Sequence, residues 1–268
     1  MAMPEPAWYE QQYNPRLSVP HFADFFQRWA QEAQQARQHL EYQTLPYGPG
    51  PKETLDLFPA PHSRALLVFI HGGYWRAFDK DDFSWIAPPL VRAGFSVAVI
   101  NYALCPSVSI AEITEQCRRA VAWLYRAHPQ PLIISGHSAG GHLTGEMFAT
   151  PWADYGLPSR AIVGGISISG LFDLEPLIQV SFNSDLQLDA ASARACSPAY
   201  KQPTVQAPLV LAVGALESDE FHRQSRLLKE AWPAICTEVI ALPNCHHFNV
   251  LDALTDTNSP LWEPFLRL

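Results

Sequence analysis

Three features of the sequence predict an α/β fold, a mostly parallel central sheet flanked by helices with an N-terminal helical extension. Short apolar runs at 65–70, 96–101, 132–135, 161–169, 209–213 and 238–242 alternate with segments of helical character near 82–93, 110–127, 141–150, 219–231 and 248–254. Such alternation marks parallel strands joined by crossover helices. The runs are apolar at successive positions rather than at every second one, as strands covered on both faces are. Finally, the turn Gly136-His-Ser138-Ala-Gly140 lies where the run at 132–135 gives way to a helical segment.

Taken in order, residues 1–20 are rich in Pro, Tyr and Gln and read as an irregular arm. From 21 to 40, Phe22, Phe25, Phe26, Trp29, Ala33 and Leu40 recur near helical spacing with Gln and Arg between them, which predicts an amphipathic helix. Its aromatic stripe is expected to be a packing face that also has the means to roof a pocket. Two opening strands, 42–47 and 53–58, flank the turn Tyr47-Gly-Pro-Gly-Pro51. After the alternating region begins, residues 171–203 interrupt it and predict short helices or a lid over the carboxyl edge of the sheet, where open α/β folds bind ligands. No internal repeat or linker divides the chain, so 1–268 reads as one domain, with 1–40 as an N-terminal arm and helix.

With 268 residues, 48% of them hydrophobic, the chain is able to build a substantial core. Its formal charge of −8 argues against nucleic acid and anionic membrane surfaces as partners. No N-terminal stretch has the layout of a signal peptide, and no apolar run approaches the roughly 18 residues of a membrane span. Cys105, Cys117, Cys196, Cys236 and Cys245 are odd in number and scattered, which suits buried thiols in a reducing cytoplasm better than disulfides or a zinc site. The expected partner is a small-molecule substrate, with no nucleic acid, membrane, metal or cofactor; a homodimer is left open.

The chemistry is concentrated in four places. Gly136-x-Ser138-x-Gly140 is a nucleophile-elbow pattern, in which a serine sits on a sharp strand-to-helix turn of an α/β-hydrolase. Upstream, His71-Gly72-Gly73-Tyr74-Trp75 follows the run at 65–70 and has the position of an oxyanion-hole loop, with donors expected from Gly72, Gly73, Tyr74 and Ala139 backbone N–H groups. A serine hydroxyl needs a base, and the base an orienting acid, in the order serine, acid, histidine. Glu217 stands in the loop directly after the strand at 209–213, whereas Asp219 opens a helix, where an acid is favoured without any catalytic role. After the strand at 238–242 come His246 and His247, either of which has the position of the base. His71, His137 and His142 read as structural, and no metal-ligand spacing is present.

On His71-Gly-Gly-Tyr-Trp75, Gly136-His-Ser-Ala-Gly-Gly-His142, Ser169-Gly-Leu-Phe-Asp-Leu-Glu-Pro176, Glu220-Phe-His-Arg-Gln-Ser225, His247-Phe248 and the early Tyr13-Asn-Pro-Arg16, the sequence resembles the arylformamidase (kynurenine formamidase) group of α/β-hydrolases. The resemblance implies a cofactor-free serine hydrolase that cleaves N-formylkynurenine to kynurenine and formate. It carries the nucleophile onto Ser138 and the base onto His247. Glu217 falls at the family's acid position, usually Asp, and this departure keeps Asp219 as a rival. A formyl group needs little room, so Tyr74 and Trp75 are expected to narrow the acyl side, while Phe78 or the N-terminal aromatics face the aryl ring. The alternatives are a carboxylesterase with the same triad and a non-catalytic binding protein with a misassembled one.

Overall fold

The apolar runs become neighbours in one sheet. The computed structural model describes residues 4–236 and 238–268. Its strands are β1 (Gln43–Pro46), β2 (Thr54–Phe58), β3 (Leu66–Ile70), β4 (Ser96–Ile100), β5 (Leu132–His137), β6 (Ile162–Ile168), β7 (Leu209–Gly214) and β8 (Val239–Leu242), in the spatial order β1-β2-β4-β3-β5-β6-β7-β8. β1, β2 and β4 pair antiparallel, and every pairing from β4 through to β8 is parallel. Every residue of β3, β4, β5 and β7 is buried, because helices cover both faces.

Parallel register decides where the chemistry lies. Ile70 pairs with Gly136, and β7 ends at Gly214 beside Leu242 of β8. The loops after β3, β5, β7 and β8 therefore open at one carboxyl edge, which is the ligand edge of such sheets. The crossovers are α5 (Ile110–Ala127), α6 (Ala139–Phe148) and α9 (Asp219–Ala231). α5 begins with a capping box between Ser109 and Glu112 that satisfies two otherwise free N–H donors.

Several boundaries differ from the sequence reading. The helix expected at 82–93 is a 3₁₀ turn, Ser84–Ile86, leading into α4 (Ala87–Arg92), whose first turn holds Pro88 and Pro89. Residues 248–254 form a 3₁₀ segment, Asn249–Leu254, rather than an α-helix. The stretch 171–203 contains only short pieces, Glu175–Gln179, α7 (Asn183–Leu186), α8 (Ala190–Ala195) and Pro198–Tyr200. The chief correction is at the N-terminus. Where an irregular arm was expected, α1 (Pro6–Tyr13) and α2 (Pro15–Ser18) form; residues 1–3 lie outside the described chain. Neither helix has an apolar stripe to announce it. Distant partners hold α1 instead: Ser218 Oγ donates to Gln12 O at 2.6 Å, and Ser181 N–H to Glu10 at 3.0 Å.

The amphipathic helix α3 (Phe22–His39) buries Trp29, Ala33 and Ala36. Phe22, Phe25 and Phe26 pack on Phe248 with ring centres 6.2, 6.1 and 5.5 Å apart, and Arg28 pairs with Asp252 at 2.7 Å. The expected packing face is thus seated on the loop that carries His247. All five cysteines are free thiols, four of them buried. No helix among the described residues is long and apolar enough to cross a membrane.

Candidate active site

Ser138 sits at the N-cap of α6 with φ 58° and ψ −118°, a conformation that costs a non-glycine residue about 1–3 kcal/mol. The surrounding packing enforces it. A side chain at Gly136 would place its Cβ 2.2 Å from Gly140 O, and one at Gly140 would meet Ile70 O at 1.9 Å. The glycines let β5, α6 and β3 close together beneath the serine. Two backbone bonds clamp Ser138 itself, from its N–H to Ile168 O at 2.8 Å and from His142 N–H to its carbonyl at 3.0 Å.

His247 Nε2 lies 3.0 Å from Ser138 Oγ, and His247 Nδ1 lies 2.6 Å from Glu217 Oε2. With Nδ1–H donating to the carboxylate, Nε2 is left to accept the serine proton. The other carboxylate oxygen accepts from Gly214 N–H at 2.7 Å and from the Ser169 hydroxyl. Burial pushes the Glu217 carboxyl up, but the facing imidazole and these two donors outweigh it, so the group is held below its ordinary value and stays charged. Behind the imidazole, His137 Nε2–H donates to His247 O at 2.8 Å and fixes the base's backbone.

Of the paired candidates, the structure brings Glu217 and His247 to Ser138 and turns the other two away. Asp219 is the first residue of α9, and no hydrogen bond joins it to a histidine among the described residues. His246 Nδ1 accepts from Phe248 N–H at 3.1 Å, and its ring stands edge-on to Phe25 at 4.9 Å. The imidazole that resemblance selected is the one in reach.

The loop after β3 lies against the serine, since a Cβ on Gly72 would sit 3.2 Å from Ser138 Cβ. None of the Gly72, Gly73, Tyr74 or Ala139 N–H groups has an intramolecular acceptor among the described residues. Such free donors suit an oxyanion. The loop is strained. Gly73 has φ 99°, and Tyr74, Trp75 and Phe78 also take positive values. Cys105 N–H to Trp75 O at 2.8 Å and Tyr102 OH to His71 O at 2.7 Å hold it.

Beside Ser138 is a cavity of about 80 Å³, to which Tyr74 and Phe78 both contribute. Trp75 does not, and its expected pocket role is corrected. Consecutive left-handed residues swing it away from Tyr74 into the core, where it is 0% exposed and meets the His142 ring edge-on at 5.0 Å. The sequence reading of the site missed Asn14 and Arg16 from the N-terminal segment, together with Arg76, His137 and Phe182. Only the Tyr13-Asn-Pro-Arg16 resemblance hinted at the first two.

A buried polar network seats that N-terminal roof. The Tyr13 hydroxyl donates to Glu220 and accepts from Gln224 Nε2 at 3.2 Å. Arg223 bridges Glu220 at 2.8 Å and Asp173 at 3.3 Å, and Gln224 Oε1 accepts from Phe172 and Asp173 N–H at 2.7 and 2.8 Å. Tyr74 OH donates to Tyr13 O, joining roof and oxyanion loop. The Ser169–Pro176 and Glu220–Ser225 motifs thus hold Tyr13, and through it the cover of the cavity.

Burial depresses His71 to about 4, His137 to about 3 and His142 to about 4. These rings stay neutral in the fold while the unfolded chain gains protons below about pH 6.5, so the unfolded state binds more protons and stability is lost as pH falls. With about 1.4 kcal/mol per proton per pH unit, the three together predict a decline between roughly pH 6 and 4 that approaches about 4 kcal/mol per unit near pH 5 and slackens towards pH 4 as His71 and His142 begin to protonate in the fold. Denaturant unfolding across that range measures it, and a flat profile from pH 6.5 to 4.5 would contradict buried, neutral histidines.

Known proteins are similar to this chain in fold and in sequence. The BD-FAE family model matches residues 55–154. Esterase B from Lactobacillus rhamnosis superposes with a TM-score of 0.68 over 92% of this chain and 94% of its own, at 19% identity, which speaks for the fold. A Silicibacter structure provisionally named a thioesterase reaches a TM-score of 0.87 and 37% identity, covering 94% of this chain and 96% of that one. The kynurenine formamidase of Salmo salar is 30% identical over 237 residues, 84% of this chain and 80% of the relative. The chain belongs to the kynurenine formamidase family. The Danio rerio kynurenine formamidase agrees, at 29% identity over 84% of the chain. As a member of that family the protein is a hydrolase of the α/β-hydrolase fold.

Proposed function

We propose that the protein hydrolyses N-formylkynurenine to kynurenine and formate through a formyl-enzyme on Ser138. Its Oγ attacks the formyl carbon as His247 Nε2 takes the proton, and the resulting oxyanion lies against the free N–H groups of Gly72, Gly73, Tyr74 and Ala139. Charged Glu217 stabilises the imidazolium. His247 then gives its proton to the departing aryl amine, and water, activated by the same ring, releases formate. The observation that carries this reading is the unbroken relay from Ser138 to His247 at 3.0 Å and on to Glu217 at 2.6 Å, in a chain of this family. The mostly buried, free cysteines support a cytoplasmic location.

The second reading is a carboxylesterase, supported by the esterase neighbours and by a relay that suits esters equally. The ratio of kcat/KM for N-formylkynurenine to that for a matched aryl acetate separates the two. A formamidase favours the first, and a strong preference for short esters would transfer the assignment to the second.

Tyr74 closes the acyl side, its ring 4.4 Å from Phe182. Replacing it with Gly, which accepts its φ of 49° without strain, opens that space. Each methylene admitted is worth about tenfold or more in specificity, so Tyr74→Gly is expected to raise propionyl over acetyl kcat/KM by that factor. A p-nitrophenyl ester series checks this, and unchanged chain-length selectivity would remove Tyr74 from the acyl pocket.

A further inference from the structure

The catalytic cavity carries an arginine that the hydrolytic steps do not use. Arg16, from α2 on the N-terminal roof, lines the same cavity as Ser138 and His247. Its guanidinium lies 5.1 Å from the ring centre of Phe22 and 5.6 Å from that of Phe26. No carboxylate among the described residues comes within 4.0 Å of it. The other cavity cation, Arg76, is engaged: it pairs with Asp185 and lies 5.4 Å from the Phe182 ring centre. Glu10 is also occupied, by Asn14 Nδ2 at 2.8 Å and by Ser181. Arg16 is solvent-exposed overall; the burial it does have, and after it the charge of Arg76, push its guanidinium below its ordinary value.

One cavity thus brings together Ser138 and the free N–H donors, the aromatic side chains of Phe26, Trp29 and Phe78, and the guanidinium of Arg16, which no carboxylate pairs. A ligand that satisfies all three has a carbonyl, an aryl ring and an anionic group. Two aromatic faces already hold the guanidinium in place, which lowers the ordering cost of a bidentate contact with a carboxylate.

We propose that Arg16 reads the carboxylate of the substrate, making the enzyme selective for aryl formamides and aryl esters that carry a tail carboxylate over those of similar size that lack it. The identity of the natural anion, the amino-acid carboxylate of N-formylkynurenine, rests on the formamidase reading; the anion subsite itself does not.

Two substrate pairs test the assignment, N-formylkynurenine against its carboxamide and para-acetoxyphenylpropionate against its amide. The wild type is expected to favour the carboxylate-bearing member of each, through KM. Arg16→Gln is expected to lower the carboxylate-to-amide ratio of kcat/KM by about tenfold or more, as loss of a charge-assisted contact does. Arg16→Lys retains part of it, keeping the charge without the fork. Rising ionic strength should erode the wild-type ratio and leave that of Arg16→Gln level, a response that mere packing of Arg16 on Phe22 and Phe26 would not produce. An ester ratio unchanged in Arg16→Gln overturns the proposal, as does a wild type without preference for the anionic ester. Should N-formylkynurenine resist hydrolysis while the ester pair still shows the Arg16-dependent ratio, the formamidase reading fails and the anion subsite stands.

Discussion

Ser138→Ala is expected to lower kcat by about a millionfold, because removing the nucleophile of a serine relay disables its other members at the same time. The fold should survive. Alanine needs the same strained backbone at φ 58°, and the clamps on that backbone come from main-chain groups of Ile168 and His142. Residual turnover of about 10³- to 10⁴-fold over water would remain if free N–H donors still polarise the carbonyl. Labelling with a fluorophosphonate reports the same atom: the wild type takes the label on Ser138 and the variant does not. A wild type that fails to label and turns over neither formamides nor esters would instead place the chain among non-catalytic binding proteins.

Glu217→Gln has the next largest effect, a loss of about ten-thousandfold in kcat with little change in KM. The carboxylate accepts from His247 Nδ1–H, Gly214 N–H and Ser169 with its side chain only 1% exposed. An amide supplies one good acceptor where the site presents donors on both sides, and it offers no negative charge to the imidazolium. The ring is then free to take the tautomer in which Nε2 carries the proton and is unable to accept one from Ser138. Glu217→Asp should recover part of the rate, limited by a side chain one methylene too short for this loop. Asp219→Asn should stay within about threefold of wild type, having no part in the relay. Ranking the variants by kcat decides the acid, and an Asp219→Asn loss exceeding that of Glu217→Gln would reverse the assignment.

Much of this arrangement was legible before folding. The strand at 66–70 and helix at 110–127 are visible as periodicity, since burial on both faces or on one stripe leaves its imprint on neighbouring positions. Ser138 was visible because the elbow demands glycines at fixed offsets. The choice between Glu217 and Asp219 was harder. Both follow the same strand within five positions of its last residue, and only the turn in which Glu217 N–H bonds Gly214 O at 3.0 Å aims one carboxylate at the histidine. Trp75 went astray for a similar reason. Its neighbour Tyr74 faces the cavity, and the pair of positive φ angles that separates them has no sequence signature in residues this bulky.

The sequence by itself determined the layered sheet, the serine on its elbow, the glycine loop before it and the order of acid and base, because each depends on contacts between near neighbours or on a side chain's absence. Family resemblance had singled out His247; the tertiary structure alone decided which acid meets that histidine and what roofs the cavity. Arg16 and Asn14 reach the site because Tyr13 is tied to Glu220, more than two hundred positions away. A contact of that kind is specified by two distant segments jointly, and neither segment's local pattern contains it.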